Sequence, residues 1–138
     1  MALYAFDGTG HEDTDRSSRD SNVLDFFRAY DGGPKNEDPS LRIGSLYLKR
    51  IGNRGRRFVG GRPAEAFGVG GHRRVRQALD RLENNFETGD SVVDVIGFSR
   101  GAALAVSFAN ELAGKIPRVI IRFMGLWDMV GQFGAAGR

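Results

Sequence analysis

The sequence predicts an α/β fold in which a parallel sheet is covered by helices on both faces, and three observations carry the prediction. Strand and helix candidates alternate along the chain, the pattern of successive βαβ units. Val92-Val93-Asp94-Val95-Ile96 is almost continuously apolar, as a strand covered on both faces must be. The segment that follows, Ala102 to Ala113, is apolar nearly all round, so as a helix it has to be buried against the sheet.

Taken in order, Leu3 to Phe6 reads as the first strand. Val23 to Tyr30 reads as a helix, because Val23, Phe26, Phe27 and Tyr30 fall on one face. Gly32-Gly33-Pro34 to Pro39 is rich in turn formers and reads as a loop. Ser45 to Ile51 is the next strand, and Gly52 to Gly61 and Gly68 to Gly71 read as connecting loops. His72 to Phe86 follows as a helix with Val75, Leu79, Leu82 and Phe86 on one face. Gly89-Asp90 turns into the central strand Val92 to Ile96, its helix follows, and Val119 to Leu126 is a further strand. No internal repeat or low-complexity tract interrupts the series.

Composition bounds the class. With 138 residues, 41% hydrophobic and 27% charged, the expectation is one globular domain over residues 1–138. The absence of cysteine excludes disulfides and Cys-ligated metal, and fits a reducing compartment. No run approaches the roughly 18 apolar residues of a transmembrane helix, and Met1 to Phe6 is too short for a secretory signal. The expected product is cytoplasmic as synthesised, with any export by a route that needs no signal peptide. The motifs call for no cofactor and no metal.

The net charge of +3 is unevenly spread. Lys49, Arg50, Arg54, Arg56, Arg57, Arg62, Arg73, Arg74 and Arg76 stand against the one acid Glu65, whereas residues 1 to 40 are acidic. Such a block can contact nucleic acid, a phospholipid headgroup or an acidic partner, and it can also be a solvated loop and helix face. Phe58 and Phe67 are its only aromatics, so no interleaving supports base stacking and no nucleic acid is expected.

Chemistry concentrates in Gly97-Phe98-Ser99-Arg100-Gly101, which lies between the central strand and its helix. A nucleophile elbow needs this context: a serine on a sharp strand-to-helix turn, with small residues two before and two after it. Gly97 and Gly101 meet that need. The turn lifts the Ser99 hydroxyl clear of the sheet, and the helix N-terminus offers N–H groups to a developing oxyanion. The plainer reading makes Ser99 only a helix N-cap. Buried strand, tight turn and buried helix together are the centre of an α/β-hydrolase sheet.

Ligands of an open parallel sheet bind at the carboxyl ends of its strands. There the chain carries Asp7-Gly8-Thr9-Gly10, then Ser99, then Trp127-Asp128-Met129-Val130-Gly131, three loops that can converge on one cleft. Asp128 can hold a histidine in the tautomer that accepts the serine proton, or it can cap the turn after Trp127. A strand ending in Asp-Gly-Thr is also similar to the first motif of the haloacid dehalogenase phosphatases, but their nucleophilic Asp stands two positions earlier, where this chain has Ala5. The Gly8 and Thr9 N–H groups are therefore read as oxyanion donors, with Asp7 holding the loop by hydrogen bonds to its own backbone.

Together these residues resemble the α/β-hydrolase catalytic domain of type VI secretion phospholipase effectors, over nearly the whole chain. Phe6-Asp7-Gly8-Thr9 resembles that family's opening motif, Ser21-Asn22-Val23 its Thr-Asn-Val, and Tyr47 to Gly52 its strand leading to a Gly-x-Gly-Thr loop. Gly97-Phe98-Ser99-Arg100-Gly101-Ala102 is similar to its Gly-Phe-Ser-Arg-Gly-Ala elbow, and Gly125-Leu126-Trp127-Asp128-Met129-Val130-Gly131 to its Gly-Val-Trp-Asp-Thr-Val-Gly motif. The resemblance implies Ser99 as nucleophile and Asp128 as triad acid. It also has departures. His11 stands where the family has Asn, and Arg50-Ile51-Gly52-Asn53 replaces the Gly-x-Gly-Thr loop. The family's triad histidine lies beyond the Trp-Asp motif, whereas this sequence holds only His11, near the oxyanion loop, and His72, which heads a helix beside Arg73 and Arg74 and reads as a surface residue. The expectation is thus a three-layer α/β-hydrolase-like domain that is incomplete at its C-terminus, lacking the triad histidine and leaving an unpaired sheet edge.

The sequence reading is a serine hydrolase that cleaves carboxylic esters of lipid-like substrates through an acyl-enzyme, in contact with a membrane surface. Ser99 attacks, Asp128 orients a histidine, and the Arg100 N–H with that of Gly8 or Thr9 holds the oxyanion. The rival reading is a non-catalytic module that keeps the fold and docks a partner through the basic segment 49–76.

Overall fold

In the computed structural model the described residues are 1–8, 21–36, 42–49 and 63–129, with the side chains of 63–69 left aside. The elements are β1 (Ala2–Phe6), α1 (Asn22–Ala29), β2 (Lys35–Asn36), β3 (Ser45–Leu48), α2 (Pro63–Glu87), β4 (Val92–Phe98), α3 (Arg100–Lys115) and β5 (Ile120–Trp127). The described strands form one sheet in the order β2-β3-β1-β4-β5, parallel throughout. β1 is the centre of this sheet, and all of its residues are buried, which is why Ala2 to Phe6 carries no charge and its one hydroxyl, that of Tyr4, accepts from Asn85 Nδ2 at 2.7 Å.

Alternation along the strands sorts the core into two halves. Tyr4, Phe6, Leu46, Leu48, Val93 and Val95 face α2 and α3, where they meet Val75, Leu79, Leu82, Leu104 and Phe108. The Phe108 ring lies 5.0 Å from Tyr4 and 5.6 Å from Phe6, centroid to centroid, and so anchors α3 to the sheet centre. Leu3, Ala5, Tyr47 and Ile96 face the other way, against Val23 and Phe27 of α1. Helices on both faces of a parallel sheet make the α/β class and three-layer arrangement read from the sequence.

Two loop assignments are overturned. The segment read as a loop from Gly32 to Pro39 contains β2, which pairs Lys35 with Ser45 and Asn36 with Leu46. Two residues are too few to show a period, and the pairing is fixed by tertiary bonds: Ser45 N donates to Pro34 O at 2.8 Å. Gly68 to Gly71, also read as a loop, lies inside α2, which runs unbroken from Pro63. Glycine costs a helix only about 1 kcal/mol per residue relative to Ala, and proline is well placed at a first helical turn, so a start at Pro63 is affordable. The element boundaries otherwise lie within a few residues of those expected, with β4 continuing through Gly97 and Phe98. Ile51 and the loop from Gly52 to Gly61 lie outside the described residues.

Asp94 breaks the apolar run of β4 and is buried, with 1% of its surface exposed. Its carboxylate accepts from Arg122 Nε at 3.0 Å, from Arg122 Nη2, and from the Tyr30 hydroxyl at 2.8 Å. A buried carboxylate needs such partners, and these three donors bind β4, β5 and the end of α1 together. Among the described residues β5 pairs only with β4, and it leaves Ile120, Phe123, Met124 and Trp127 exposed. No helix among the described residues is long and apolar enough to cross a membrane.

Candidate active site

Ser99 is the junction of β4 and α3, and its backbone is strained: φ is 54° and ψ is −122°, a region that side chains rarely adopt. The flanking glycines make the strain attainable. A Cβ on Gly101 would stand 2.2 Å from the Phe6 carbonyl oxygen and 2.7 Å from that of Asp7, and a Cβ on Gly97 would stand 2.7 Å from the Ala102 Cα. Neither contact is tolerable, so the strand-to-helix turn closes only with glycine at both positions. Ser99 occupies the N-cap position of α3 without making the side-chain bond of a cap, which removes the plainer reading of this serine.

Two further segments close on this turn. The Ser99 N–H donates to Trp127 O at 2.9 Å, so the β4–β5 ladder, whose last pair is Phe98 with Trp127, runs into the elbow itself. Asp128 is the next residue of β5's chain, exposed, with φ at 47°. Asp is among the few residues that tolerate this left-handed conformation. On the other side, Gly8 sits so close that a Cβ there would lie 2.8 Å from Phe98 O and 3.1 Å from Ser99 Cβ. The residues after β1, β4 and β5 therefore meet at one end of the sheet.

Asp7 is buried, and it governs the loop after β1. Its Oδ1 accepts from the Gly8 N–H at 2.8 Å, the bond to its own backbone that the sequence suggested. The same bond corrects the expected role of Gly8: a carboxylate one residue back takes up its N–H, which is therefore not aimed at a substrate oxygen in this structure. Oδ2 accepts from Ser21 Oγ at 2.5 Å and from the Tyr47 hydroxyl. Sequence reading missed Tyr47. Its pairing with Ala5 was the available signal, since Tyr47 and Ala5 lie side by side on one face and Asp7 is the next residue of β1's chain on that face.

Arg100 opens α3, and in the same first turn the Ala102 N–H donates to Ser99 O at 3.1 Å, which closes the helix start on the elbow. Partial burial lowers the pKa of its guanidinium. Thr9 and His11, and Arg50, Arg54, Arg56, Arg57 and Arg62 of the basic block, lie outside the described residues. Of the rest of that block, Lys49, Arg73 and Arg76 are exposed, and Arg74 Nε donates to Lys49 O at 3.0 Å, tying α2 to the carboxyl end of β3. His72 is exposed and lines a cavity of about 260 Å³ with Leu104, Ser107 and Glu111, along the helical layer. Ser107 is eight residues along α3 from Ser99, a rise of about 12 Å, so His72 is not brought to the elbow.

Residues 3–118 of the chain match the family model described as T6SS, phospholipase effector Tle1-like, catalytic domain. That span contains Asp7, Gly8, Tyr47 and the whole elbow, and ends before Asp128. No curated protein and no solved structure matches the chain.

Proposed function

We propose, from the premise that the chain belongs to the T6SS Tle1-like phospholipase effector catalytic-domain family, that it hydrolyses carboxylic esters of lipids with Ser99 as nucleophile. The observation that carries this reading is the strained Ser99 backbone held without a capping bond at the carboxyl end of the sheet. Strain of this kind costs about 1–3 kcal/mol and persists where the surrounding structure enforces it for function. In the proposed reaction Ser99 Oγ attacks the ester carbonyl carbon while its proton passes to a histidine. Asp128 accepts the other N–H of that imidazole and balances its positive charge. The family resemblance puts that histidine beyond the Trp-Asp motif, and His11, which follows Asp7-Gly8-Thr9-Gly10 in sequence, is the alternative base within this sequence.

The negative charge that develops on the carbonyl oxygen falls to the Arg100 N–H and, from the loop after β1, to that of Thr9. Gly8 contributes by shape, because only a residue without Cβ lets that loop approach Ser99 so closely. Collapse of the tetrahedral intermediate breaks the bond to the alcohol, which leaves with the proton returned by the histidine, and water then releases the acyl group from Ser99 Oγ. Phe98, Trp127 and Met129 are exposed around the elbow and offer an apolar approach for a lipid presented at a membrane surface. Export by a route that needs no signal peptide belongs to the same reading.

The test is covalent labelling of Ser99 by a fluorophosphonate probe, run beside hydrolysis of a short-chain ester and of phospholipid vesicles. Labelling that is lost in Ser99→Ala, together with ester turnover, is expected. A folded chain that neither labels nor turns over any ester would make it a non-catalytic module of the same fold.

A further inference from the structure

We infer that Tyr47 and Ser21 are positioning residues that lock the Asp7-Gly8 peptide in place beside Ser99, an inference that rests on the serine-hydrolase reading above. Asp7 lies just past β1, and its N–H still donates to Leu48 O at 3.0 Å, so the ladder with β3 carries the backbone into the loop. At Gly8 the Asp7 carboxylate takes over. Its Oδ1 captures the Gly8 N–H, which fixes the plane of the 7–8 peptide. Its Oδ2 is held by two hydroxyls from different elements, Tyr47 of β3 and Ser21 at the cap of α1.

Each hydroxyl is itself fixed. The Tyr47 ring packs on Phe27 at 5.7 Å between centroids, and only 5% of the residue is exposed. Ser21 Oγ accepts from Leu24 N at 3.1 Å while donating its own proton to Asp7, so one hydroxyl both starts α1 and holds the loop. The carboxylate cannot turn without breaking bonds to β3 and α1 together. Gly8, whose missing Cβ lets it pass close to the Phe98 carbonyl and Ser99, then cannot drift. Misplacement of the backbone beside a nucleophile by about 1 Å is enough to cost a large factor in rate, so the hydroxyls act on the reaction without touching substrate.

Tyr47→Phe tests this, because it keeps the ring packing and removes only the donor. Two quantities are measured in the parent and the variant, both checked for an unchanged folded spectrum: hydrogen exchange of the Gly8 amide, and the fluorophosphonate rate constant at Ser99 separated from probe binding. The expected result is Gly8 exchange faster by about tenfold or more, and a maximal labelling rate reduced by about tenfold with probe binding unchanged. Gly8 exchange and labelling both unchanged in a folded Tyr47→Phe protein would overturn the inference. A parent that fails to label while its Gly8 exchange still responds to Tyr47→Phe would count against the serine-hydrolase reading and leave the lock standing. Ser21→Thr, which keeps the hydroxyl, should behave like the parent, and Ser21→Ala like Tyr47→Phe.

Discussion

The backbone N–H of Ser99 is bonded to the carbonyl of Trp127 at 2.9 Å, so the strained residue is the last rung of the β4–β5 ladder. Strand pairing thereby holds the one conformation that the serine would not choose by itself. It also sets two left-handed residues side by side, Ser99 with φ 54° and Asp128 with φ 47°, at the ends of neighbouring parallel strands.

A glycine relieves that strain, because it lacks the Cβ that makes φ 54° with ψ −122° unfavourable. Ser99→Gly should therefore raise stability by about 1 kcal/mol, after the extra unfolded-state entropy of glycine is set against the strain, while removing reaction with the probe. Ser99→Ala should remove the reaction equally with no such gain. Denaturant melts of the three proteins check this, and a Ser99→Gly protein less stable than Ser99→Ala would argue that the turn is not strained.

The glycines flanking the elbow differ from those elsewhere in what a methyl group would meet. Gly101→Ala drives Cβ to 2.2 Å from a backbone oxygen of β1, which cannot give way without shifting the central strand. The expected loss is about 3 kcal/mol or more, the upper range of overpacking. Gly114, also in α3, has open space around the added atom, and Gly114→Ala should stabilise by about 0.5–1 kcal/mol through helix propensity. Urea midpoints of the two variants should move in opposite directions.

Alkaline pH should loosen the fold through its buried phenols. Burial first, and then the bond to Asp94, hold the Tyr30 hydroxyl well above the ordinary tyrosine range, and burial does the same for Tyr4. The folded state therefore keeps protons that the unfolded state gives up near pH 10. More protons bound in the native state means that stability is full below that pH and falls as pH rises beyond it. Thermal midpoints should decline above about pH 10, and Tyr30→Phe should flatten the decline while lowering stability at neutral pH, where the Asp94 carboxylate loses a donor. A midpoint independent of pH between about 9 and 11 in the parent would contradict it.

The α/β alternation and the elbow were legible because each rests on a local pattern: a nearly continuous apolar strand, an amphipathic or apolar helix, and glycines at two fixed offsets from Ser99. What was not legible depended on residues distant in sequence. β2 exists through the Pro34–Ser45 bond, and the first turns of α2 hold a helix that three glycines argued against locally. Asp94 looked like a flaw in an apolar strand until Arg122 and Tyr30 were placed beside it. Likewise Asp7 could be read as the holder of its own loop, but its bonds to Ser21 and Tyr47 join positions 14 and 40 residues away, which no spacing rule connects.

Asp128 gives the sharpest test of the candidate site, because its backbone permits a clean substitution. Asn tolerates the left-handed conformation about as readily as Asp, so Asp128→Asn keeps the turn after β5 and removes only the charge. A triad acid fixes the histidine tautomer and stabilises the imidazolium that forms as Ser99 attacks, effects that exist mainly in the transition state. Turnover should then fall by about 10³-fold, with KM and the thermal midpoint little changed. A role in the turn alone predicts the reverse pattern: Asp128→Asn would be neutral in both readouts, and Asp128→Ala, which strains the left-handed backbone, would lower the midpoint without touching turnover. Steady-state kinetics and melts on the two variants separate these cases. Turnover of Asp128→Asn within a few fold of the parent would exclude Asp128 as the acid and leave it as the residue that lets the chain turn away from the sheet beside Ser99.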